Sequence, residues 1–313
     1  MGWTVYRPRS RCFSAVVNAN LIGRNRRRLA SQEGRTCRDE NGFQFGRSPF
    51  AVAGRDALWV LSEAGNDVYD HVIHGSAGRR DRELDLFQYS GATYDGDHLG
   101  ELAGAGKTLI YGWYHVVITD DSCIEGGGDC RFAVDNGSVR RIVNRRPVGV
   151  SGAPAAYLVA TNGPTVALVT AHGETTRFGV PLDRRDVEVR QVKNGRLLSS
   201  FRVGRNVLDL ALGDDVVAVL RGPRLRVERR QASSGNLIGS TLVPRETVSI
   251  NASGSRLVLV AGWRIYLLDL GTGQLRLVTE THVPPIGASV AGNRVSWAET
   301  NHRHGVVRSL TVP

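Results

Sequence analysis

The fold is decided by a segment that begins Gly254-Ser255-Arg256-Leu257-Val258-Leu259-Val260 and continues, after a short turn, as Ile265-Tyr266-Leu267-Leu268-Asp269-Leu270-Gly271-Thr272-Gly273-Gln274-Leu275-Arg276-Leu277-Val278. A shorter apolar run, Val248-Ser249-Ile250, precedes it. Glycine suits the turns between these runs because it adopts a positive φ angle at little steric cost. We therefore predict four antiparallel strands, joined in chain order by tight turns.

The same pattern recurs along the chain as a glycine, two turn-like residues and a run of Val, Leu, Ile or aromatic residues. Successive copies are separated by 52, 52, 57, 50, 41 and 38 residues. The copies begin at Gly54, Gly106, Gly163, Gly213, Gly254 and Gly292, with a weaker one at Gly2. A second glycine follows within each unit and is predicted to turn the chain between two further strands, at Gly23, Gly78, Gly137, Gly195, Gly235 and Gly273.

Four strands in a repeat of this length are the blade of a β-propeller, and the spacing leaves no room for helices between strands. The sequence therefore predicts an all-β protein, a single propeller domain over residues 1–313 built of four-stranded antiparallel blades. We expect about seven blades, with six as the alternative, and the first and last blades incomplete. Because the missing strand would precede Met1, we expect the natural gene product to extend upstream. The predicted blades span residues 1–49, 50–101, 102–152, 153–207, 208–248, 249–284 and 285–313.

The turn Asp269-Leu270-Gly271-Thr272-Gly273 resembles the Asp-x-x-Thr-Gly turn of bacterial propeller repeats. Through it and the repeat pattern, nearly the whole chain resembles the broad superfamily of irregular bacterial β-propellers, which includes TolB-like, WD40-like and quinoprotein-like repeats. The Trp that marks quinoprotein repeats is absent after this turn, and no Gly-His…Trp-Asp signature is present. These departures argue against a bound quinone and against a standard WD40 assignment, so no cofactor of that kind is predicted.

Charge is distributed unevenly along the 313 residues, whose net charge is +10. Residues 1–49 carry +7, residues 50–135 carry −9 and residues 136–313 carry +12. Only two of the 40 basic residues are Lys, which indicates a GC-rich, bacterial coding sequence. No run of 18 apolar residues is present, so no membrane span is predicted.

The four cysteines suggest a compartment. Cys123 and Cys130 flank a six-residue loop with three glycines, which can bring the Cα atoms within the disulfide range of about 4.4–6.8 Å. A disulfide is our prediction, with a free thiol pair or a metal site as alternatives, and Cys12 pairs with Cys37 by elimination. An even count favours an oxidising compartment, so we expect a secreted or cell-envelope protein. No signal segment follows Met1, which leaves the cytoplasm as the alternative.

Few residue patterns point to chemistry. The carboxylates and imidazole of Asp95, Asp97 and His98 are candidate ligands for Ca²⁺, although they form only a fragment of a usual ligand set. A phosphate loop at Gly104–Thr108 is excluded because position 101 is Glu101 rather than glycine. One basic cluster is a candidate contact for a polyanion, and it consists of Arg24, Arg26, Arg27 and Arg28. The alternative is that these arginines form the solvent-exposed face of a strand.

Three functions are consistent with this pattern. The first is a non-catalytic scaffold that binds a protein or cell-envelope partner, with its binding face in the acidic residues 50–152, where the inter-strand loops are longest. The second is a propeller lyase or hydrolase with polar residues at the channel mouth, although no catalytic set of residues is legible. The third is polyanion binding through arginine-rich blades. We favour the first, and expect a monomer that does not bind nucleic acid.

Overall fold

The computed structural model describes residues 2–7, 12–17, 27–31, 50–54, 56–64, 68–77, 80–120, 130–285, 287–300 and 305–313. Within these ranges the chain forms 28 strands and no helix, so none of the described segments is a helix able to span a membrane. The chain divides into two compact units. The first comprises residues 1–159, 169–184 and 192–196, and the second comprises residues 160–168, 185–191 and 197–313.

The first half of the chain contains two antiparallel sheets. A three-stranded sheet consists of β1 (Gly2–Arg7), β2 (Cys12–Val17) and β3 (Arg27–Ser31). A ten-stranded sheet follows, in the order β15-β14-β10-β9-β8-β7-β6-β5-β4, with β11 paired to β10 beside that path. Its strands are β4 (Phe50–Ala53), β5 (Asp56–Ala64), β6 (Val68–Ala77), β7 (Arg80–Ser90), β8 (Gly96–Ala105), β9 (Thr108–Asp120), β10 (Arg131–Val143), β11 (Arg146–Gly149), β14 (His172–Thr175) and β15 (Pro181–Asp183).

The rest of the chain forms three four-stranded sheets and one of three strands. The four-stranded sheets have the orders β12-β13-β16-β17, β18-β19-β20-β21 and β22-β23-β24-β25, and the last sheet is β26-β27-β28. Their bounds are β12 (Ala156–Thr161), β13 (Thr165–Thr170), β16 (Asp186–Gln191), β17 (Leu197–Arg202), β18 (Val207–Leu212), β19 (Val216–Arg221), β20 (Arg226–Gln231), β21 (Leu237–Leu242), β22 (Thr247–Ser253), β23 (Arg256–Ala261), β24 (Arg264–Asp269), β25 (Leu275–Glu280), β26 (Gly287–Ala291), β27 (Arg294–Thr300) and β28 (Gly305–Thr311).

In the second unit, successive sheets pack through their first strands, because β18 lies beside β22, which lies beside β26. In the first unit, β4 lies beside β8 of the same ten-stranded sheet, so that sheet curls back on itself. Four-stranded antiparallel meanders stacked in this way are consistent with a propeller. The all-β prediction is confirmed, whereas the blade count and the blade boundaries stay predictions.

The prediction of separate four-stranded sheets is wrong for residues 50–152. The strands β4 to β7, which lie in the second predicted blade (residues 50–101), are joined to β8 by one residue pair, Tyr89 with Gly96. Strand β10 is long enough to pair with β11 near Arg140 and with β14 near Phe132. Both β9 and β10 contain 13 residues, whereas β18 to β21 contain six each. A strand twice the usual length has backbone N–H and C=O groups that extend beyond its first partner strand. These groups pair with further strands, which therefore join the same sheet.

The turn at Asp269 closes as its sequence indicates. Asp269 Oδ1 accepts hydrogen bonds from Thr272 N (2.7 Å) and Thr272 Oγ1 (3.0 Å), and Gly273 has a φ of +78°. The backbone hydrogen bond from Thr272 holds the pKa of the Asp269 carboxyl below its usual value. The buried Arg229 of the neighbouring sheet donates from one Nη to the carbonyl of Leu270 (2.9 Å), so the turn is also tied to β20.

The predicted turn glycines are confirmed at the described hairpins. Gly54, Gly106 and Gly254 have φ angles of +60°, +58° and +63°. Gly2 is an exception because it lies inside β1, and so is Gly137, which lies inside β10 rather than in a turn. It follows a register shift in the pairing of β10 with β9, and a Cβ atom there would lie 2.5 Å from the carbonyl oxygen of Trp113. Close approach of two strands, not chain reversal, requires this glycine.

The core of the second unit lies between its sheets. The middle strand β23 is buried on both faces from Leu257 to Ala261, which explains why its sequence is continuously apolar rather than alternating. Leu257, Leu259 and Leu268 are fully buried and belong to one cluster with residues of β18 to β20. Burying each such side chain contributes about 1.5–3 kcal/mol, so face-to-face stacking of sheets stabilises this unit.

Candidate binding site: an aromatic row on the long sheet

A row of aromatic side chains crosses the ten-stranded sheet of the first unit. Tyr69 on β6 pairs with Tyr89 on β7, and His98 on β8 pairs with Tyr114 on β9. Directly paired residues point to the same face of a sheet, so these four rings lie on one face. The row ends at Tyr157 on β12, and we call these five residues the aromatic row.

The rings stack on one another along the row. The centroid separations are 5.1 Å for Tyr69 and Tyr89, 4.5 Å for Tyr89 and His98, and 5.5 Å for His98 and Tyr114. These three pairs are within 16° of parallel, as in offset stacking. Tyr157 follows Tyr114 at 6.2 Å with a tilted ring. The row is therefore one contact network.

Glycines make room for the central ring. Gly96 has a φ of +122°, and a Cβ atom there would lie 2.5 Å from the carbonyl oxygen of Gln88. Gly179, in the loop between β14 and β15, approaches so closely that its Cβ would lie 2.3 Å from His98 Cε1. Any larger residue at these positions would displace the imidazole or the strand that carries it.

His98 is buried, and its ring is held in one orientation. Its Nε2 lies 2.8 Å from the carbonyl oxygen of Tyr94, so Nε2 carries the proton and donates. Burial lowers the pKa of His98 and also that of His71, whose ring stacks on Tyr89 at 5.5 Å. Both imidazoles are therefore neutral at pH 7, which suits a stacked aromatic environment.

Two phenols of the row, those of Tyr89 and Tyr114, stay protonated at neutral pH. Burial, with a smaller contribution from the neighbouring phenols of Tyr69 and Tyr94, raises the pKa of Tyr89 to about 12. Burial likewise raises the pKa of Tyr114. The centre of the row, formed by Tyr89, His98 and Tyr114, therefore presents uncharged rings rather than a group that titrates near pH 7.

The exposed edge of the row is formed by Tyr94 and Phe178. Their rings meet edge to face at 5.2 Å, and the guanidinium of Arg177 lies 4.6 Å over the ring of Phe178, which is largely exposed. Tyr94 has a φ of +58°, a conformation that is unusual for a residue with a side chain. The Ser90 carbonyl holds it there by accepting a hydrogen bond from Tyr94 N at 2.9 Å. We call Tyr94, Arg177 and Phe178 the rim.

The proposed Ca²⁺ ligands have other partners. Asp97 Oδ1 lies 2.7 Å from His115 Nδ1, and Asp95 accepts a hydrogen bond from the hydroxyl of Thr93. His98 donates to a backbone carbonyl and stacks within the row. Among the residues described, no three His, Cys, Asp or Glu side chains are grouped as a metal site. Ca²⁺ binding by these residues stays an untested prediction.

Other predicted site residues lie largely outside the described part of the chain. Cys130 is disulfide-bonded, but Cys123 is not described, so their pairing stays a prediction. The side chains of Cys12 and Cys37 are likewise outside the described residues. The same is true of the side chains proposed for polyanion binding, Arg24, Arg26, Arg27 and Arg28.

The sequence did not indicate the aromatic row, although four of its five residues lie in the acidic region 50–152 that was expected to hold the binding face. Arg177 and Phe178 of the rim and Tyr157 of the row lie beyond that region. The members of the row are separated in sequence, and no spacing between Tyr69, Tyr89, His98 and Tyr114 repeats. The one available signal was an aromatic residue or histidine at alternate positions of a strand, as in Tyr69-Asp70-His71. Only the register between strands turns such positions into neighbours.

Comparisons with known proteins identify no family for this chain. No family model matches it, and neither does any curated protein. Among solved structures, Sqt1 of Saccharomyces cerevisiae is 8% identical with a TM-score of 0.48, and the match covers 96% of this chain and 90% of Sqt1. The computationally designed Ika4 protein is 17% identical with a TM-score of 0.37, over 51% of this chain and 92% of Ika4. Both scores are below 0.5, so the fold assignment here depends on the chain's own strand order.

Proposed function

We propose that this chain is a non-catalytic binding scaffold of the β-propeller type, and that the rim of the aromatic row contacts a protein partner. The observation that carries the proposal is the rim itself, an exposed Phe178 between Tyr94 and Arg177 and backed by stacked rings. Aromatic residues and Arg are enriched at protein interfaces and account for most binding hot spots. A cell-envelope component is the alternative partner.

The row supports binding by making the rim rigid. Tyr94 stacks on Tyr69 at 6.3 Å and on Tyr89 at 6.1 Å, so two neighbouring rings limit the movement of its side chain. Side chains that are fixed before binding lose little conformational entropy when a partner docks. Because the centre of the row is uncharged, the contribution of the row to binding would come from ring contacts and hydroxyl hydrogen bonds.

The same geometry supports binding over catalysis. The one base-like arrangement near the row is His115 Nδ1 at 2.7 Å from Asp97, which resembles the orienting half of a catalytic triad. Within the described residues, no hydroxyl or thiol group is hydrogen-bonded to His115. A base with no group to activate does not by itself provide a reaction mechanism.

We extend the proposal to the compartment and the assembly state. A disulfide at Cys130 supports an oxidising environment, so we place the protein in the cell envelope or outside the cell, as a monomer. Mass spectrometry of the native protein with and without reduction tests the disulfide, because each closed disulfide lowers the mass by two hydrogens. Four titratable thiols in the unreduced protein would contradict this placement.

The binding proposal is tested by site-specific photocrosslinking of the full-length chain in its own host. A photoreactive phenylalanine analogue replaces Phe178 in one variant and Leu237 in a matched control. Leu237 is an exposed apolar residue on β21, far from the rim in sequence and part of the other unit. We expect a discrete protein adduct from position 178 that is absent from position 237.

A second substitution separates recognition from chance proximity. Adding Tyr94→Ala to the position-178 variant removes a rim ring, and we expect the adduct to fall by about tenfold. An adduct of equal yield at positions 178 and 237 refutes a specific rim contact. Absence of any adduct at position 178, in a variant that melts like the unmodified chain, refutes it as well.

A further inference from the structure

A second surface lies in the second unit, where two neighbouring sheets share the same backbone irregularity. The pairing of β18 with β19 shifts between Val207 and Asp209, and Leu208 is the extra residue. The pairing of β22 with β23 shifts between Thr247 and Ser249, where Val248 is the extra residue. A bulge re-aims the side chain of its extra residue, and bulges at matched positions are features of a fold rather than defects.

Both bulges expose an aliphatic side chain. Leu208 is 48% exposed and Val248 is 72% exposed, whereas Val207 and Thr247, which precede them, are buried. The two bulges are neighbours, because Asp209 Oδ2 accepts a hydrogen bond of 2.7 Å from the Ile250 backbone amide. The surface therefore carries two aliphatic side chains that the core does not use.

Trp263 extends this surface on a fixed backbone. It occupies the turn between β23 and β24, and its indole is 56% exposed. Its carbonyl accepts hydrogen bonds from Thr281 N (2.7 Å) and Thr281 Oγ1 (2.8 Å), and the preceding Gly262 donates to the carbonyl of Glu246 (3.2 Å). Glu246 lies two residues before Val248, so this turn lies next to the second bulge.

Three exposed arginines occupy the connections at the same end of these sheets. Arg205 precedes β18, Arg224 lies between β19 and β20, and Arg245 precedes β22. None of the three forms an ion pair with a described residue of the chain. Arg264, also at this end, is paired with Glu280 at 2.8 Å. Glu246 and the largely buried Asp209 are two further carboxylates here, so the arginines still outnumber the carboxylates. The surface therefore has a net positive charge.

We propose that this bulge surface, formed by Leu208, Val248, Trp263, Arg205, Arg224 and Arg245, docks an acidic protein segment whose carboxylates flank apolar side chains. Trp and Arg are the residues most enriched at binding hot spots, and the arginines supply charge complementarity. Two features favour a peptide over a nucleic acid. Trp263 supplies one ring that could stack on a base, but the two neighbouring apolar side chains, Leu208 and Val248, are aliphatic and do not continue a stacking platform. The carboxylate of Glu246 would oppose a phosphate backbone. The inference is independent of the rim, because it concerns different residues in the other unit.

The test is a selection of displayed random peptides, each about 12 residues long, on the full-length chain. The selection uses the unmodified chain alone, so that its outcome does not presuppose a role for Trp263. We expect the enriched peptides to be acidic and to contain aromatic or aliphatic residues. The dissociation constant of the best peptide is then measured by fluorescence anisotropy for the unmodified chain and each variant.

The variants separate the apolar and charged contributions. We expect Trp263→Ala, Val248→Ser and the triple variant R205E/R224E/R245E each to weaken binding by about tenfold or more. The matched control is Leu237→Ala, an equally exposed aliphatic residue at the other end of β21, which should leave binding unchanged. Thermal melting of each variant shows that the fold is retained, and Val248→Ser gives a second readout where Trp263→Ala does not fold.

Three outcomes would overturn the inference. Enriched peptides without an excess of Asp and Glu would contradict the charge argument, and peptides indifferent to both Trp263→Ala and Val248→Ser would place binding elsewhere. Tighter binding of a single-stranded DNA of about 20 nucleotides, weakened by the same arginine substitutions, would instead identify a polyanion site.

Discussion

The clearest stability prediction concerns Glu228, a buried carboxylate between two arginines of the second unit. Glu228 lies on β20 with its side chain only 4% exposed. Its Oε2 is 2.6 Å from Arg221 Nε, and its Oε1 is 2.7 Å from Arg230 Nε. Replacing Glu228 with Ala leaves two mostly buried guanidinium groups without their counter-charge. Removing one partner of a buried ion pair costs about 3–5 kcal/mol, and we expect a loss in that range.

A matched exposed pair shows whether burial sets this cost. Glu280 accepts a hydrogen bond from Arg264 Nε at 2.8 Å, and both side chains are more than half exposed. The contact distance is similar to that of Glu228, but water screens the charges and the free arginine is readily solvated. Exposed pairs contribute about 0–1 kcal/mol, so Glu280→Ala should have little effect on the free energy of unfolding.

The assay is urea unfolding at pH 7, followed by circular dichroism, in low salt and in about 0.5 M NaCl. Any effect of Glu280→Ala should disappear in high salt, because salt screens exposed charges. The effect of Glu228→Ala should largely remain. The conservative Glu228→Gln variant keeps the volume and two polar atoms, so its loss should be smaller. A loss below about 1 kcal/mol for Glu228→Ala, or equal losses for both alanine variants, would refute the reasoning.

The remaining predictions concern pH dependence, a strand contact and a turn. Burial raises the pKa of Asp209 to about 6, above its unfolded value of 3.8. The protonated Asp209 therefore contributes to the free energy of unfolding fully below pH 4, and about 3 kcal/mol is lost as the pH rises through 6. Urea unfolding across this range should show that fall for the unmodified chain and not for Asp209→Asn. Gly96→Ala should lower the free energy of unfolding in urea by about 2–4 kcal/mol and alter the near-ultraviolet circular dichroism of the aromatic row. The control Gly149→Ala, with no atom within 4 Å of the new Cβ, should leave both nearly unchanged. Asp269→Ala removes both hydrogen bonds to Thr272 and should lower the melting temperature by the equivalent of about 1–2 kcal/mol; an unchanged melting temperature would show that the turn forms without them.

The local structure of this chain follows closely from its sequence. Glycine after a short apolar run predicted the hairpins at Gly54, Gly106 and Gly254, because few other residues adopt the required φ angle. The continuous apolar run from Leu257 predicted a strand, and its burial on both faces is what such a run implies. These inferences succeeded because turn geometry and strand burial depend on residues close together in sequence.

The same rules failed where distant strands interact. Gly137 looked like another turn glycine, but it lies within strand β10. A glycine is needed there because the backbone of Trp113 on the paired strand leaves no room for a Cβ atom. The long sheet joins segments that the repeat pattern separated, since the extra length of β10 lets it pair with β14. Neither the close approach of a neighbouring strand nor the pairing of an edge strand with a distant segment produces a regular spacing of residues in the sequence.

Both proposed binding surfaces depend on strand register. Tyr69 and Tyr89, 20 positions apart, become stacked because β6 and β7 pair in one register, and a shift by one residue would send one ring to the opposite face. Leu208 and Val248 are ordinary strand residues in the sequence, and become exposed because each is the extra residue of a bulge. The sequence by itself determined the all-β class, the hairpin turns and the uneven charge, because these depend on composition and short-range geometry. The tertiary structure decided which side chains meet on a surface, because side chains alternate along a strand and their neighbours are set by pairing across strands.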